Sequence, residues 1–182
     1  MSGTGHKAGG PLYLYRLLSH RPEGAVQVTL ARQDAEKPVD TQMKTALQSA
    51  HQALSDWAQN RPELHALCLA LAERAQSGTL RLLPGPTGER NSYSLMPRER
   101  VLCVADNEQD ALTQLAAVTA VGSRVLWADA DVQRELVKKL PEAVKQHITL
   151  VKPDALYNQP FDAVIYHGHS DQLRELCEKV AV

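Results

Sequence analysis

The chain has 182 residues, 43% of them hydrophobic, 23% charged and only 4% aromatic, enough for one globular domain or two small ones. Its 20 Lys and Arg against 21 Asp and Glu leave a formal net charge of −1, which excludes the basic field that nucleic-acid binding needs. Cys68, Cys103 and Cys177 form no CxxC, no apolar run is long enough to span a membrane, and Met1 to Lys7 hold no hydrophobic stretch, so we expect no disulfide framework, zinc knuckle, membrane span or signal peptide, and a cytoplasmic setting.

Residues 1–10 hold four glycines, a loop composition. PLYLYRLLSH (11–20) is a short apolar helix or strand, and AVQVTLA (25–31) alternates with period two, as a half-buried strand does. Residues 32–41 are a polar linker. From Gln42 to Asn60, Met43, Ala46, Leu47, Ala50, Leu54, Trp57 and Ala58 recur at helical spacing, with a stop near Arg61-Pro62. Leu64, Leu67, Cys68, Leu71 and Ala75 mark a second helix stopped by Ser77-Gly78, giving a helical hairpin over 42–77. Short strands are expected at 79–83 and 92–96, on either side of the turn-rich PGPTGERN.

Beyond Arg100 the pattern becomes strand then helix, repeatedly. VLCVA (101–105) precedes an Asp106-Asn107 cap and a helix closed by Gly122. RVLWA (124–128) precedes caps at Asp129 and Asp131 and a helix stopped at Pro141, followed by a strand at 148–151. FDAVIY (161–166) reads as a buried strand, and Ser170 as the cap of a helix bearing Leu173, Leu176, Cys177 and Val180. This alternation predicts an α/β fold, a Rossmann-like, doubly wound parallel sheet, preceded by a strand and the helical hairpin. The chain stops at Val182 without a cap glycine, so truncation at the C-terminus is expected.

Candidate chemistry is sparse. Gly3-Thr4-Gly5-His6-Lys7-Ala8 fits GxGxxA, but no strand precedes it. Where a phosphate loop belongs, after 101–105 and 124–128, the chain carries Asp106, Asp110, Asp129 and Asp131 and no glycine, which repels a pyrophosphate. His167 and His169 form an HxH pair without an evident third ligand, so a polar turn is the reading taken over a metal site. Arg90, Arg98 and Arg100, with Glu89 and Glu99, read as a solvated or ion-paired cluster rather than an anion clamp. All three cysteines read as small core hydrophobes. No nucleophile elbow or catalytic triad order is visible, so no catalytic, cofactor-binding or metal residue is assigned.

Several segments resemble the proline utilization A family of bifunctional proline-catabolic flavoenzymes. SGTGHKAGGPLYL (2–14) is similar to the loop that ends that family's aldehyde dehydrogenase domain, and LPGPTGERN (83–91), PRERVLC (97–103), FDAVIY (161–166) and SDQLR (170–174) are similar to its C-terminal region. The resemblance implies that 1–31 ends an aldehyde dehydrogenase domain and that 42–182 is a Rossmann-like domain of the aldehyde dehydrogenase superfamily type, with its α/β part over 79–182. It implies Ser2, Gly3 and Thr4 as an anchor for the aldehyde substrate's carboxylate, His6 departing from the usual proline, and 25–31 as an oligomerisation strand. The parent would oxidise proline to glutamate with FAD and NAD, in the cytoplasm or peripherally at the inner membrane. No cofactor would lie in this segment, whose partner would be the dehydrogenase domain. Its expected role is then a non-catalytic scaffold and lid over a substrate-channelling cavity. Two alternatives stay open: a nucleotide- or metabolite-binding Rossmann module using the edge near Asp106, Asp129 and His167, and a self-associating domain built on the 25–31 strand and the 42–77 helices.

Overall fold

A computed structural model describes residues 41–83 and 88–181. The loop with Ser2, Gly3 and Thr4, the 25–31 strand and most of the 32–41 linker lie outside these residues. The chain divides into two compact units. One comprises Gln42–Gly78 and Met96–Val182; the other includes Thr79–Leu95, so the division runs through the stretch that the sequence suggests as one α/β part.

Within Thr79–Leu95, strands β1 (Leu80–Leu83) and β2 (Asn91–Ser94) pair antiparallel, Leu80 opposite Ser94 and Leu83 opposite Asn91. The second strand is shorter than expected and stops before Leu95. Gly88 supplies a positive φ of 91° beside the turn.

The larger unit opens with the helical hairpin. Helix α1 (Thr41–Trp57) runs into a single 3₁₀ turn, Ala58–Asn60, and α2 (Pro62–Arg74) starts on Pro62, whose missing N–H is no loss in a first turn. Ala50, Leu54, Ala58, Leu64 and Cys68 are buried between the helices and the sheet. His51, only 3% exposed, places its Nε2–H against the Cys68 carbonyl at 2.9 Å and its Nδ1 against Thr119 Oγ1 at 3.1 Å. A polar side chain so placed is satisfied by α2 on one side and by α3 (Glu108–Ala120) on the other.

Strands β3 (Arg100–Val104), β4 (Arg124–Ala128), β5 (Ile148–Val151) and β6 (Ala163–Tyr166) form a parallel sheet in the order β5-β4-β3-β6. The chain winds outward from β3 through β4 to β5, then returns to the other side of β3, which makes the sheet doubly wound. Helices α3, α4 (Asp131–Lys139) and the short α5 (Glu142–Lys145) join the hairpin on one face, around Val101, Cys103, Val125 and Trp127. On the other face Leu102 and Leu126 pack with Leu156, Tyr157, Phe161 and Val164. The β5 to β6 crossover carries only a 3₁₀ helix, Pro153–Asn158, and α6 (Ser170–Val180) follows β6. Helix α3 buries eight of its thirteen residues, because it fills the space between the hairpin and the two central strands.

Several local expectations change. Asp129 and Asp131 do not cap α4: its N-cap is Ala130, without a side-chain bond, and both aspartates bind Arg134 instead. Ser170 is the first residue of α6 and His169 its N-cap, again without a side-chain bond. Pro141 ends one helix and at once starts another, serving as N-cap of α5. All four β6 residues are half-buried, as befits an edge strand. Cys177, next to the buried Leu176, is exposed and is not a core hydrophobe.

Two predictions follow from this packing. Helix α3 ends in a Schellman motif, with Ser123 N–H donating to Val118 O and Gly122 N–H to Thr119 O, both at 3.0 Å. Gly122 has φ 79°, and a Cβ there would lie 2.8 Å from Leu47 Cβ. Gly122→Ala should therefore destabilise the chain by about 2–4 kcal/mol in urea unfolding, from left-handed strain plus overpacking.

Burial pushes the Cys68 thiol up to about 11 and the Cys103 thiol up to about 12. The native state thus keeps protons that unfolded thiols release near their ordinary 9.0. Stability from this source is intact below pH 9 and lost as pH rises toward 11 and 12, with a slope near 1.4 kcal/mol per pH unit per thiol. Cys103→Val should make the loss of stability above about pH 9 visibly shallower than in the parent chain, and equal slopes would refute the assignment.

Candidate functional site at the carboxyl edge of the sheet

In a doubly wound sheet the ligand crevice opens at the carboxyl ends of the strands, where the winding reverses. Here that point lies between β3 and β6, whose registers pair Val104 with Tyr166. Glycine-rich turns usually leave room there for a pyrophosphate, received by the first N–H groups of the next helix.

Two sets of side-chain hydrogen bonds are built around this position. The N-terminus of α3 is served by its own sequence: Asn107 Oδ1 accepts the Asp110 N–H at 2.9 Å, and Asn107 Nδ2 donates to Asp110 Oδ2 at 2.7 Å. A second turn inward, Gln114 is 1% exposed. Its Nε2 donates to Val104 O at 2.8 Å and lies 2.9 Å from His167 Nδ1 and 3.4 Å from Ile165 O. The amide therefore bridges the carboxyl ends of β3 and β6, and its Oε1 is buried without a hydrogen-bond partner. The His167 ring is engaged through Nδ1 as an acceptor, which places the neutral tautomer's proton on Nε2.

The HxH turn is committed to backbone geometry. A Cβ on Gly168 would meet the Tyr166 hydroxyl at 2.1 Å, and that hydroxyl donates to the His169 carbonyl at 2.9 Å. No group of three or more His, Cys, Asp or Glu side chains is placed to hold a metal among the described residues.

After β4, Arg134 Nη1 donates to the Asp129 carbonyl at 3.1 Å and to its carboxylate at 3.0 Å, while Nη2 binds Asp131. Gln133 donates to Ala105 O at 2.9 Å, tying α4 to the end of β3. Glu108 accepts from Lys139 at 3.0 Å and Arg61 at 3.2 Å, and Arg61 stacks 4.2 Å over the Trp57 ring. The hydrogen bond from Lys139 first, and then the Lys139 and Arg61 charges, hold the Glu108 carboxyl below its ordinary range. These exposed pairs fix helix ends more than they add stability. Arg98 and Arg100 form no ion pair with a described residue; instead Asp162 Oδ2 accepts the backbone N–H groups of Glu99 and Arg100 at 2.8 and 3.1 Å.

Asp106, Asp129 and His167 thus all lie at the carboxyl edge, as the sequence suggests. The residue that sequence reasoning missed is Gln114. Its signal was a polar residue inside an otherwise apolar helix, Ala111, Leu112, Leu115, Ala116 and Val118, where a buried amide needs a defined set of partners.

No family model matches the chain. Among curated proteins, "Bifunctional protein PutA" of Klebsiella aerogenes is 69% identical, and that of Escherichia coli K12 67%, each over 181 residues. The Rhizobium meliloti protein of the same description is 33% identical over 185 residues. Each match covers 100% of this chain but 14% of the relative's length. Among solved structures, a crystal structure of a mutant of Bradyrhizobium japonicum proline utilization A has a TM-score of 0.52 at 20% identity, covering 77% of this chain and 18% of that one. The structural likeness supports the α/β fold alone. From end to end, the sequence is similar to the PutA proteins and spans 14% of their length.

Proposed function

We propose that this chain is a non-catalytic Rossmann-like domain of a bifunctional PutA-type enzyme that oxidises proline to glutamate, and that it helps to close the cavity through which the intermediate passes. The observation that carries this reading is the Gln114 amide tying the carboxyl ends of β3 and β6 together, beneath a helix whose N-terminus is already capped by Asn107. A dinucleotide phosphate would have to displace the Asn107 cap and then face Asp106 and Asp110. Reactive groups are muted as well. The buried Cys68 and Cys103 stay protonated near neutral pH, and a protonated thiol is a poor nucleophile.

A domain without acid, base or nucleophile can still serve turnover, because excluding water from a conduit keeps a reactive intermediate from leaking or hydrolysing. FAD and NAD, by this reading, bind elsewhere in the parent enzyme. The anchor role of Ser2, Gly3 and Thr4, the dehydrogenase domain as partner, self-association through the 25–31 strand, and a cytoplasmic or peripheral-membrane location belong to the same proposal.

Titration of NAD into the chain, followed by calorimetry and thermal unfolding, should give neither heat nor stabilisation. Saturable binding, which must raise the stability of the folded state, would overturn the reading. In a PutA-length enzyme, substitutions on this domain's surface should lower coupled proline-to-glutamate flux more than either half-reaction; equal losses would indicate misfolding instead. Gln114→Leu should cost about 1–3 kcal/mol in urea unfolding, since it strips partners from His167 and the β3 end. The exposed control Gln109→Leu should stay within about 0.5 kcal/mol of the parent chain.

A further inference from the structure

The carboxyl edge has a second side. Two adjoining clefts of about 330 and 210 Å³ open at the end of β3, and both are lined by Val104, Asp106, Tyr157 and Lys179, the larger reaching Gln133 of α4 as well. Asp106 comes from the turn after β3 and Lys179 from the last turn of α6. Both line the same space, yet neither is in an ion pair with a described residue. The smaller cleft adds Glu175, one turn before Lys179 on α6, and the Tyr166 and Gln172 side chains. Desolvation first, then the Asp106 and Glu175 charges, raise the Tyr166 phenol above its ordinary range, so it remains a neutral hydrogen-bonding group. The floor is apolar, with Leu156 and Tyr157 from the 3₁₀ crossover.

A carboxylate and an ammonium facing one cleft without closing on each other match a ligand carrying the opposite pair. We propose that this cleft binds a small zwitterion of the α-amino-acid type, its ammonium toward Asp106 and Glu175 and its carboxylate toward Lys179, with its apolar part against Tyr157. The clefts lie at the lower end of the volumes that hold drug-sized ligands, so an amino acid fits and a dinucleotide does not. A zwitterion gains on both charges at once, whereas a simple anion meets two carboxylates beside Lys179 and a simple cation leaves Lys179 without a partner. The proposal does not rest on the lid reading: a chain that fails to bind NAD can still bind an amino acid here, and the reverse.

The test is a titration of the chain, followed by amide chemical shifts, with glycine, L-alanine and L-proline as probes and with acetate and methylammonium as single-charge controls. Saturable shifts at Ala105, Tyr157 and Lys179 are expected at zwitterion concentrations of about 1–10 mM, with at least tenfold weaker effects from either control. Asp106→Asn and Lys179→Met should each weaken binding at least tenfold. Both side chains are exposed, so thermal unfolding should confirm that the variants stay folded. Absence of saturable shifts from all three amino acids would overturn the proposal, as would equal binding of acetate alone, or binding unchanged in both variants.

Discussion

Burial of β3 and β4 on both faces is the constraint from which the larger unit follows. Val101, Cys103, Val125 and Trp127 face one way and Leu102 and Leu126 the other, and all are essentially removed from water. A parallel pair of this kind is stable only if something covers each face. The helical hairpin, α3 and α4 supply a thick cover on one side. The other cover is thin, a 3₁₀ crossover with Leu156 and Tyr157 supplemented by α6. The asymmetry shows at the carboxyl edge, where Gln114 ties the strand ends on the thick side and clefts lined by Leu156 and Tyr157 open beside them.

Under the lid reading, this edge keeps a nucleotide-binding architecture without its ligand. Winding order and crossovers depend on the apolar pattern of the strands and helices, which this chain retains. Phosphate binding depends on a few backbone N–H groups and the space in front of them. Asn107 takes one of those N–H groups, that of Asp110, and the Gln114 amide plugs the strand ends beneath the helix, with hydrogen bonds of 2.7 to 2.9 Å. Such a plug also ties β6 to β3 through His167 and Ile165, so the edge strand gains an anchor that a ligand-binding loop would not provide.

How far the sequence revealed this depends on the kind of interaction. Strands RVLWA and ITLV are readable to the residue, because continuous apolar runs bounded by polar turns leave little freedom. Caps were less legible. Asp129 and Asp131 have the right chemistry for N-caps, but an arginine one turn into the helix competes for both carboxylates, and no local rule decides that contest. Cys177 sits on the stripe of α6, yet that stripe is wider than the surface it covers, so Leu176 is buried while Leu173 and Cys177 remain outside. The acidic edge was visible in the sequence; the amide that closes it was not, since its partners lie 10 and 53 residues away along the chain.

The same distinction bears on the relatives. At 67–69% identity over the whole chain, the fold's apolar pattern and most of its polar contacts can be held in common; at 33% the apolar pattern needs less exact matching than a hydrogen-bonded plug does. A buried amide with an orphaned oxygen is costly unless every other contact is kept. If closing the switch point is what the domain is for, a glutamine or another group that reaches both strand ends should persist at the position of Gln114 even where core residues drift. If the plug only repairs packing, the position should drift with the core, toward an apolar residue of similar volume.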